Sequence, residues 1–209
     1  MNQTPSKPAW TRITWLCLFV LTACAPPPPL ISSLPAARLV EHPSAKYQSA
    51  ADVASWTITG AIAAKKKNKA WSASLTWQQF SANQYLIRLF GPLGGGTMII
   101  EKKGALITYR DGQKILKSTD ADHLFAQETG FHFPIDHLYY WVRGLAAPGV
   151  THKSQFNQDG QLIALTQAGY TLHYTAYTTV DNLVLPTKIQ LENQEGTVKL
   201  VIKHWQIST

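Results

Sequence analysis

The sequence predicts a mainly β fold: an antiparallel meander of about eleven short strands, curled by its own twist into a barrel or part of one. Two short helices are expected over one face. Three observations carry this expectation. From Trp56 onward apolar and polar residues alternate with a period of two through most of the chain. Hairpin signals such as Asp111-Gly112 and the glycine-rich run after Phe90 punctuate that alternation. The alternation breaks once, between Asp120 and Gly144, where apolar residues recur at helical spacing. Composition agrees: 45% hydrophobic and 15% charged residues are globular, and Trp 7, Tyr 8 and Phe 7 favour strands.

The N-terminus addresses the compartment. Lys7 and Arg12 precede a short apolar core, Ile13 to Leu21, too brief to span a bilayer as a helix but suited to a secretory signal. It ends in Leu21-Thr22-Ala23-Cys24, which resembles the bacterial lipobox. That resemblance implies acylation of Cys24 with palmitate-type chains and cleavage before it, so residues 1–23 are expected to be a lipoprotein signal peptide. Cys17 would leave with the leader, making an internal disulfide impossible and leaving the core to hold the fold. The formal net charge of +7 falls with the loss of Lys7 and Arg12 but stays positive, which suits work beside anionic head groups. Nucleic acid is not expected as a partner, since no interleaved aromatic and basic motif is present.

Residues 24–33 read as the acylated cysteine and a tether built on Pro26 to Pro29, which holds the body off its anchor. Residues 34–209 form the folded domain. It opens with an expected helix from about Leu34 to Ser55, bent near Pro43. Strands then follow. Trp56, Ile58, Gly60 and Ile62 share one face of the first. The lysine-rich turn from Lys65 to Lys69 reads as a solvated hairpin tip or as a contact with anionic lipid. Trp71, Ala73, Leu75 and Trp77 line the inward face of the second strand, and Tyr85, Ile87 and Leu89 that of the third.

After Phe90 the run Gly91-Pro92-Leu93-Gly94-Gly95-Gly96 makes a loop around one large apolar side chain, Leu93. Glycine gives it no cover and proline stiffens the approach. Leu93 is either presented to an outside partner or folded back on the sheet as a plug. Strands near Thr97 to Glu101, Ala105 to Arg110 and Gln113 to Lys117 complete the first half.

Asp120 can cap a short helix carrying Leu124 and Phe125 and ended by Gly130. Pro134 opens a second, with Ile135, Leu138, Trp141, Val142 and Leu145 on one stripe and Gly144 near its end. Five strands follow, at about Thr151 to Phe156, Leu162 to Gln167, Tyr170 to Tyr177, Leu185 to Glu192 and Thr197 to Gln206. Leu172 and Tyr174, Ile189 and Leu191, and Val198, Leu200 and Ile202 mark faces that alternate with polar residues. An open curved sheet offers more inward apolar surface than two short helices can fill, so an acyl-chain cavity is expected, lined from the strands by Trp56, Ile58, Ile62, Trp71, Leu75, Trp77, Tyr85, Ile87, Leu89, Leu172, Tyr174, Ile189, Leu191, Leu200 and Ile202 and from the helices by Leu124, Phe125, Leu138 and Trp141.

Enzyme signatures are missing: the sequence holds no G-x-S-x-G, H-E-x-x-H, P-loop or G-x-G-x-x-G. His123, His132 and His137 lack the paired spacing of a zinc site and have no cysteine partner. No catalysis, metal or cofactor is expected.

Taken in order, several short motifs resemble the LolB family, the outer-membrane receptors of the lipoprotein localisation pathway. They are the lipobox, Trp56-Thr57-Ile58-Thr59-Gly60-Ala61, Trp77-Gln78-Gln79, Gly91-Pro92-Leu93-Gly94, Thr129-Gly130 before Pro134, Trp141-Val142-Arg143-Gly144-Leu145, Leu185-Pro186 and Trp205. The resemblance implies an unclosed eleven-stranded antiparallel half-barrel with helices over its concave side. It implies a chaperone-like carrier in protein transport, acting as a monomer, that takes acylated lipoproteins from a LolA-type periplasmic carrier and inserts them into outer-membrane lipid. It places Cys24 as the anchor at the periplasmic face and Pro92, Leu93 and Gly94 as the membrane-insertion loop. Ala25 is not the aspartate that retains lipoproteins in the inner membrane. The extra glycines at Gly95 and Gly96 depart from the family pattern. A structural or assembly lipoprotein that binds protein partners through its sheet is the alternative, and it would show no acyl-dependent binding.

Overall fold

The structure, a computed structural model, describes residues 49–92 and 96–208. Cys24, the tether, Leu93 and Gly94 lie outside the described residues, as does most of the expected N-terminal helix. Its last part differs from expectation: Ala50–Asp52 form a single 3-10 turn. Ser49 adopts an extended backbone there, accepts a hydrogen bond from the Ala51 N–H, and so acts as a cap where a continuing helix would need helical dihedrals.

Eleven strands form one antiparallel sheet: β1 (Trp56–Lys66), β2 (Lys69–Ser81), β3 (Gln84–Phe90), β4 (Thr97–Lys103), β5 (Leu106–Asp111), β6 (Lys114–Ser118), β7 (His152–Phe156), β8 (Leu162–Gln167), β9 (Tyr170–Val180), β10 (Leu183–Glu192) and β11 (Gly196–Ile207). Helices α1 (Ala121–Thr129) and α2 (Ile135–Trp141) interrupt the run where the apolar period changes. Asp120 accepts the His123 N–H at 2.9 Å, and Gly130, at φ 78°, closes α1 in the left-handed conformation that glycine tolerates best. The second helix is shorter than its apolar stripe. It ends at Trp141, and a turn carries the chain to Gly144, leaving Leu145 outside it.

The strand order is β6-β5-β4-β3-β2-β1-β11-β10-β9-β8-β7. A simple meander would set β6 beside β7; instead the last strand pairs with the first, and β6 and β7 become opposite edges of an unclosed sheet. The chain must therefore travel from one edge to the other between Ser118 and His152. That crossing, made by α1 and α2, covers the concave face.

The β1–β11 seam holds two positions where only glycine fits, Gly60 and Gly196, and a Cβ on Gly196 would stand 2.2 Å from the Lys65 carbonyl oxygen. The register shifts between Thr59 and Gly60, and a Cβ on Gly60 would stand 2.0 Å from the Val201 carbonyl oxygen. Along the seam the inward stripe is continuous: Trp56 packs its ring 5.0 Å from Trp77 and 5.4 Å from Trp205, centre to centre.

Candidate functional site

The residues expected to line a cavity divide into two groups. Ile62, Leu75, Trp77, Ile87, Leu89, Leu191 and Leu200 meet on the concave face of the sheet, and Phe125 and Leu138 face them from α1 and α2. These nine line an apolar trough. Four more join it: Ile100, Val198, Ile135 and Phe133. Two of these were legible, since Ile100 stands opposite Ile87 across β3–β4 and Val198 lies two residues before Leu200 on the same face. Phe133 sits between the helices, outside any period; its ring meets Phe125 edge-on at 5.0 Å.

The other expected cavity residues pack away from the trough. Trp56, Ile58, Ile189 and Ile202 are buried along the middle of the sheet, in the same core cluster as the trough residues. Trp71 turns its ring edge to Phe125 at 6.5 Å, and Leu124 is buried on α1. Trp141, Leu172 and Tyr174 form a filled unit under the end of α2. There the Trp141 indole N–H donates to Gln167 Oε1 at 2.8 Å, and the Tyr174 hydroxyl donates to the Trp141 carbonyl at 3.0 Å. Burial pushes the Tyr174 phenol far above its ordinary pKa, so it remains a donor. Tyr85 is buried beside Trp77, its ring edge-on at 6.3 Å. The reason is the topology: only the part of the apolar stripe that faces Phe125, Phe133, Ile135 and Leu138 lines the trough, and the rest packs into the core.

With the helices seated the trough is almost closed. Its volume is about 50 Å³, where one ordered water needs about 10–15 Å³ on the same measure. No fatty chain fits without displacement of the cover.

What holds the cover is mostly apolar. Polar links are few: Lys69 Nζ donates to the Thr129 carbonyl at 2.6 Å, Lys102 Nζ meets Asp136 Oδ1 at 2.7 Å, and Lys114 Nζ meets Glu128 Oε2 at 2.5 Å. The Asp136 and Lys114 side chains are 66% and 53% exposed, so each of these ion pairs is worth only about 0–1 kcal/mol. Phe125, Phe133, Ile135 and Leu138 supply the rest by burial. A hydrocarbon chain can replace such contacts directly.

The far end of α2 is anchored differently. Arg143, 3% exposed, donates to the carbonyls of Tyr139, Ala50 and Val53 and lies 4.0 Å over the Tyr139 ring. Burial draws its pKa below the usual guanidinium range, yet three carbonyl partners keep the cation satisfied. The cover is thus fixed at its C-terminal end, and its weakly held portion is α1 with the first turn of α2.

Between the helices, Asp122 Oδ1 accepts the Ile135 N–H at 2.9 Å. Burial raises the Asp122 pKa above its ordinary value, and the charge of Asp136 adds to this. A carboxyl with a raised folded-state pKa costs stability when ionised. Its contribution to stability is therefore fully present below the unfolded-state pKa and is lost as pH rises through the folded one. Asp122→Asn, which keeps the accepting oxygen, should stabilise the domain at neutral pH and flatten the fall in stability above the ordinary carboxylate pKa of about 4. Urea unfolding midpoints from there to neutral pH test it; an unchanged slope would refute it.

The loop expected to meet the membrane is described only at its ends. The Gly91 N–H donates to the Gly96 carbonyl at 3.1 Å, closing it, and Pro92 borders the outer face of the β1–β2 hairpin near Ala63 and Ser72. At the hairpin tip Lys66 pairs with Glu195 at 3.0 Å, while Lys65 and Lys67 are exposed. Of the three histidines, His123 is exposed, the His132 carbonyl accepts the Tyr170 hydroxyl, and His137 stacks on Trp141.

An open antiparallel sheet with a small apolar trough beneath two helices has counterparts among known proteins. The model of the family described as outer membrane lipoprotein LolB matches residues 54–205. The chain belongs to the LolB family. The outer-membrane lipoprotein LolB of Coxiella burnetii (strain RSA 493 / Nine Mile phase I) is 33% identical over 162 residues, covering 77% of this chain and 76% of that one. That of Francisella tularensis subsp. novicida (strain U112) is 31% identical over 198 residues, covering 93% of each. Among solved structures, the LolA superfamily protein NE2245 from Nitrosomonas europaea superposes with a TM-score of 0.50 at 8% identity, covering 75% of this chain and 87% of that one. A DUF1329 family protein from Desulfovibrio piger gives a TM-score of 0.51 at 7% identity. At such identities the likeness is one of fold. This LolB-family chain therefore shares its overall fold with these two proteins.

Proposed function

We propose that this LolB-family chain is a lipid-anchored outer-membrane lipoprotein that accepts acylated lipoproteins from a LolA-type periplasmic carrier and inserts them into the outer membrane. The observation that carries the reading is the trough: an apolar surface shared between sheet and cover, with few polar links to break. Acyl chains entering it would take over contacts that Phe125, Phe133, Ile135 and Leu138 now make with the sheet. Exchange of like for like keeps the net affinity moderate. Burying a methylene is worth about 0.8 kcal/mol, so complete new burial of three chains of roughly 16 carbons would exceed the ceiling of about 20 kcal/mol on noncovalent affinity. A carrier that gained all of that could not release its load; one that must lift its own cover can. The bilayer is then the lower-energy destination, and no nucleotide or cofactor is required.

In this reading residues 1–23 are the signal peptide, Cys24 is acylated and anchors the chain at the periplasmic face, and residues 24–33 are its tether. The body works as a monomer. Leu93, held in glycine, supplies the contact that releases cargo into the bilayer. Transfer of a radiolabelled lipoprotein from a LolA-type carrier to the mature chain carrying Cys24→Ala, and then to liposomes, is the test. Acceptance followed by release is expected. Leu93→Glu should leave acceptance within about twofold and lower release at least tenfold, since an anionic side chain at the bilayer centre costs a few kcal/mol. Failure to accept cargo at all would overturn the carrier reading, and normal release by Leu93→Glu would remove that residue from it.

A further inference from the structure

At the first turn of α2 the apolar trough runs into a group of polar side chains. Tyr85 and Lys102 face each other across β3–β4 on the concave side, one step along from the trough residues Ile87 and Ile100. The helix above contributes both kinds of group: Ile135 and Leu138 line the trough, while Asp136 reaches Lys102.

On the two elements that meet here, β3 and α2, two buried side-chain atoms have no hydrogen-bond partner in the protein. Tyr85 is 2% exposed, and its hydroxyl is buried and unpaired; Nδ1 of His137 is likewise buried and unpaired. Asp122 is within electrostatic reach of both rings. Lys102 Nζ stands 6.0 Å from the centre of the Tyr85 ring, committed to Asp136. Leaving a buried polar group unpaired costs about 1–3 kcal/mol. Such a cost at the end of a hydrocarbon-lined trough marks a place where a ligand's polar end would be welcome. Burial, with the nearby Asp136 and Asp122 charges, raises the phenol's pKa, so Tyr85 is a permanent donor.

We propose that Tyr85 and His137 form a head subsite that takes the ester or amide carbonyls joining fatty-acyl chains to their polar carrier. It rests on the carrier reading and adds an orientation. With carbonyls at Tyr85, the hydrocarbon runs along the trough towards Ile62, Leu89 and Val198, at the end of the sheet where the loop after Phe90 begins. The tails therefore lead towards that loop. The corner also selects among heads. Its one ammonium, on Lys102, is set against two carboxylates, Asp122 and Asp136, so a free fatty acid would bring a third negative charge. Neutral carbonyls suit it and an ionised carboxylate does not.

A pair of matched lipids tests this: dipalmitoylglycerol, which has two ester carbonyls, and dihexadecylglycerol, which has ether oxygens in their place. Each displaces an environment-sensitive fluorescent acyl probe from the mature chain carrying Cys24→Ala. The diester should bind at least about fivefold more tightly, the worth of one net hydrogen bond. Tyr85→Phe should abolish that preference while leaving the ether affinity and the unfolding midpoint unchanged or slightly raised. Should Tyr85→Phe fail to fold, His137→Phe should narrow the same ratio. Equal binding of the two lipids by the unsubstituted protein overturns the head subsite, as does a preference that survives the substitutions. Binding of neither lipid, with no response from the probe alone, overturns the carrier reading itself.

Discussion

Tying the first turn of α2 to β4 should abolish cargo uptake. The ion pair between Lys102 and Asp136 marks where the cover meets the sheet at the weakly held end. Cysteines introduced by Lys102→Cys and Asp136→Cys, in a chain carrying Cys24→Ala, can be joined by a short cleavable bis-maleimide. The expected result is no detectable acceptance of an acylated lipoprotein while the linker is intact, and full recovery after cleavage. The magnitude follows from the closed trough of about 50 Å³. A chain of roughly 16 carbons kept out forfeits its burial, at most about 0.8 kcal/mol per methylene before the contacts of the lifted cover are subtracted, and no surface contact replaces it. Uptake at an undiminished rate by the linked protein would mean that chains enter elsewhere and that the cover is no gate. The uncoupled double variant provides the comparison. It loses only a half-exposed ion pair, worth at most about 1 kcal/mol, and should transfer normally or slightly faster.

The largest stability loss is expected at Trp141. Its side chain is fully buried, stacked on His137 at 5.4 Å and tilted against Tyr170 at 5.6 Å, and its N–H is held by Gln167. Gln167 also accepts the Ala147 N–H and donates to the Ala147 and Val150 carbonyls, so this one glutamine ties the segment after α2 to β8. Trp141→Ala removes the ring on which both partners rest and should cost about 3–5 kcal/mol, read as a lower urea midpoint with an unchanged denaturant slope. Trp141→Phe keeps most of the volume and should cost less than half as much. A loss below about 1 kcal/mol for Trp141→Ala would mean that the region under α2 is looser than its packing indicates. The two variants also separate stability from function: the residue lies outside the trough, so Trp141→Phe should transfer cargo normally.

Local chemistry made much of this protein legible without its structure. Period-two stretches placed the strands, because one face of each is buried and the other wet, as in Tyr85, Ile87 and Leu89 against Arg88. Asp120 and Gly130 fixed the ends of α1 because capping is decided within a few residues. The apolar identity of seven trough residues followed from the same alternation, and that of Phe125 and Leu138 from helical spacing. The approach to β1 was misread: alanines spaced like a helix precede it, but Ser49 caps a single 3-10 turn and Val53 is already extended.

The remaining features depend on which surfaces meet. Pairing of β1 with β11 joins residues at opposite ends of the chain, and no local pattern encodes it; it makes edges of β6 and β7 and forces the helices across the concave face. That crossing decided which parts of a uniform apolar stripe became trough and which became solid core. It also set Tyr85, Lys102, Asp122 and His137 in one corner, although they come from β3, β4, α1 and α2. Alternation and capping are short-range and survive in the unfolded chain as preferences, so the sequence determined strands, helices and their greasy sides. A cavity, its closure and its unpaired polar groups exist only once distant surfaces are brought together, and those the tertiary structure alone decided.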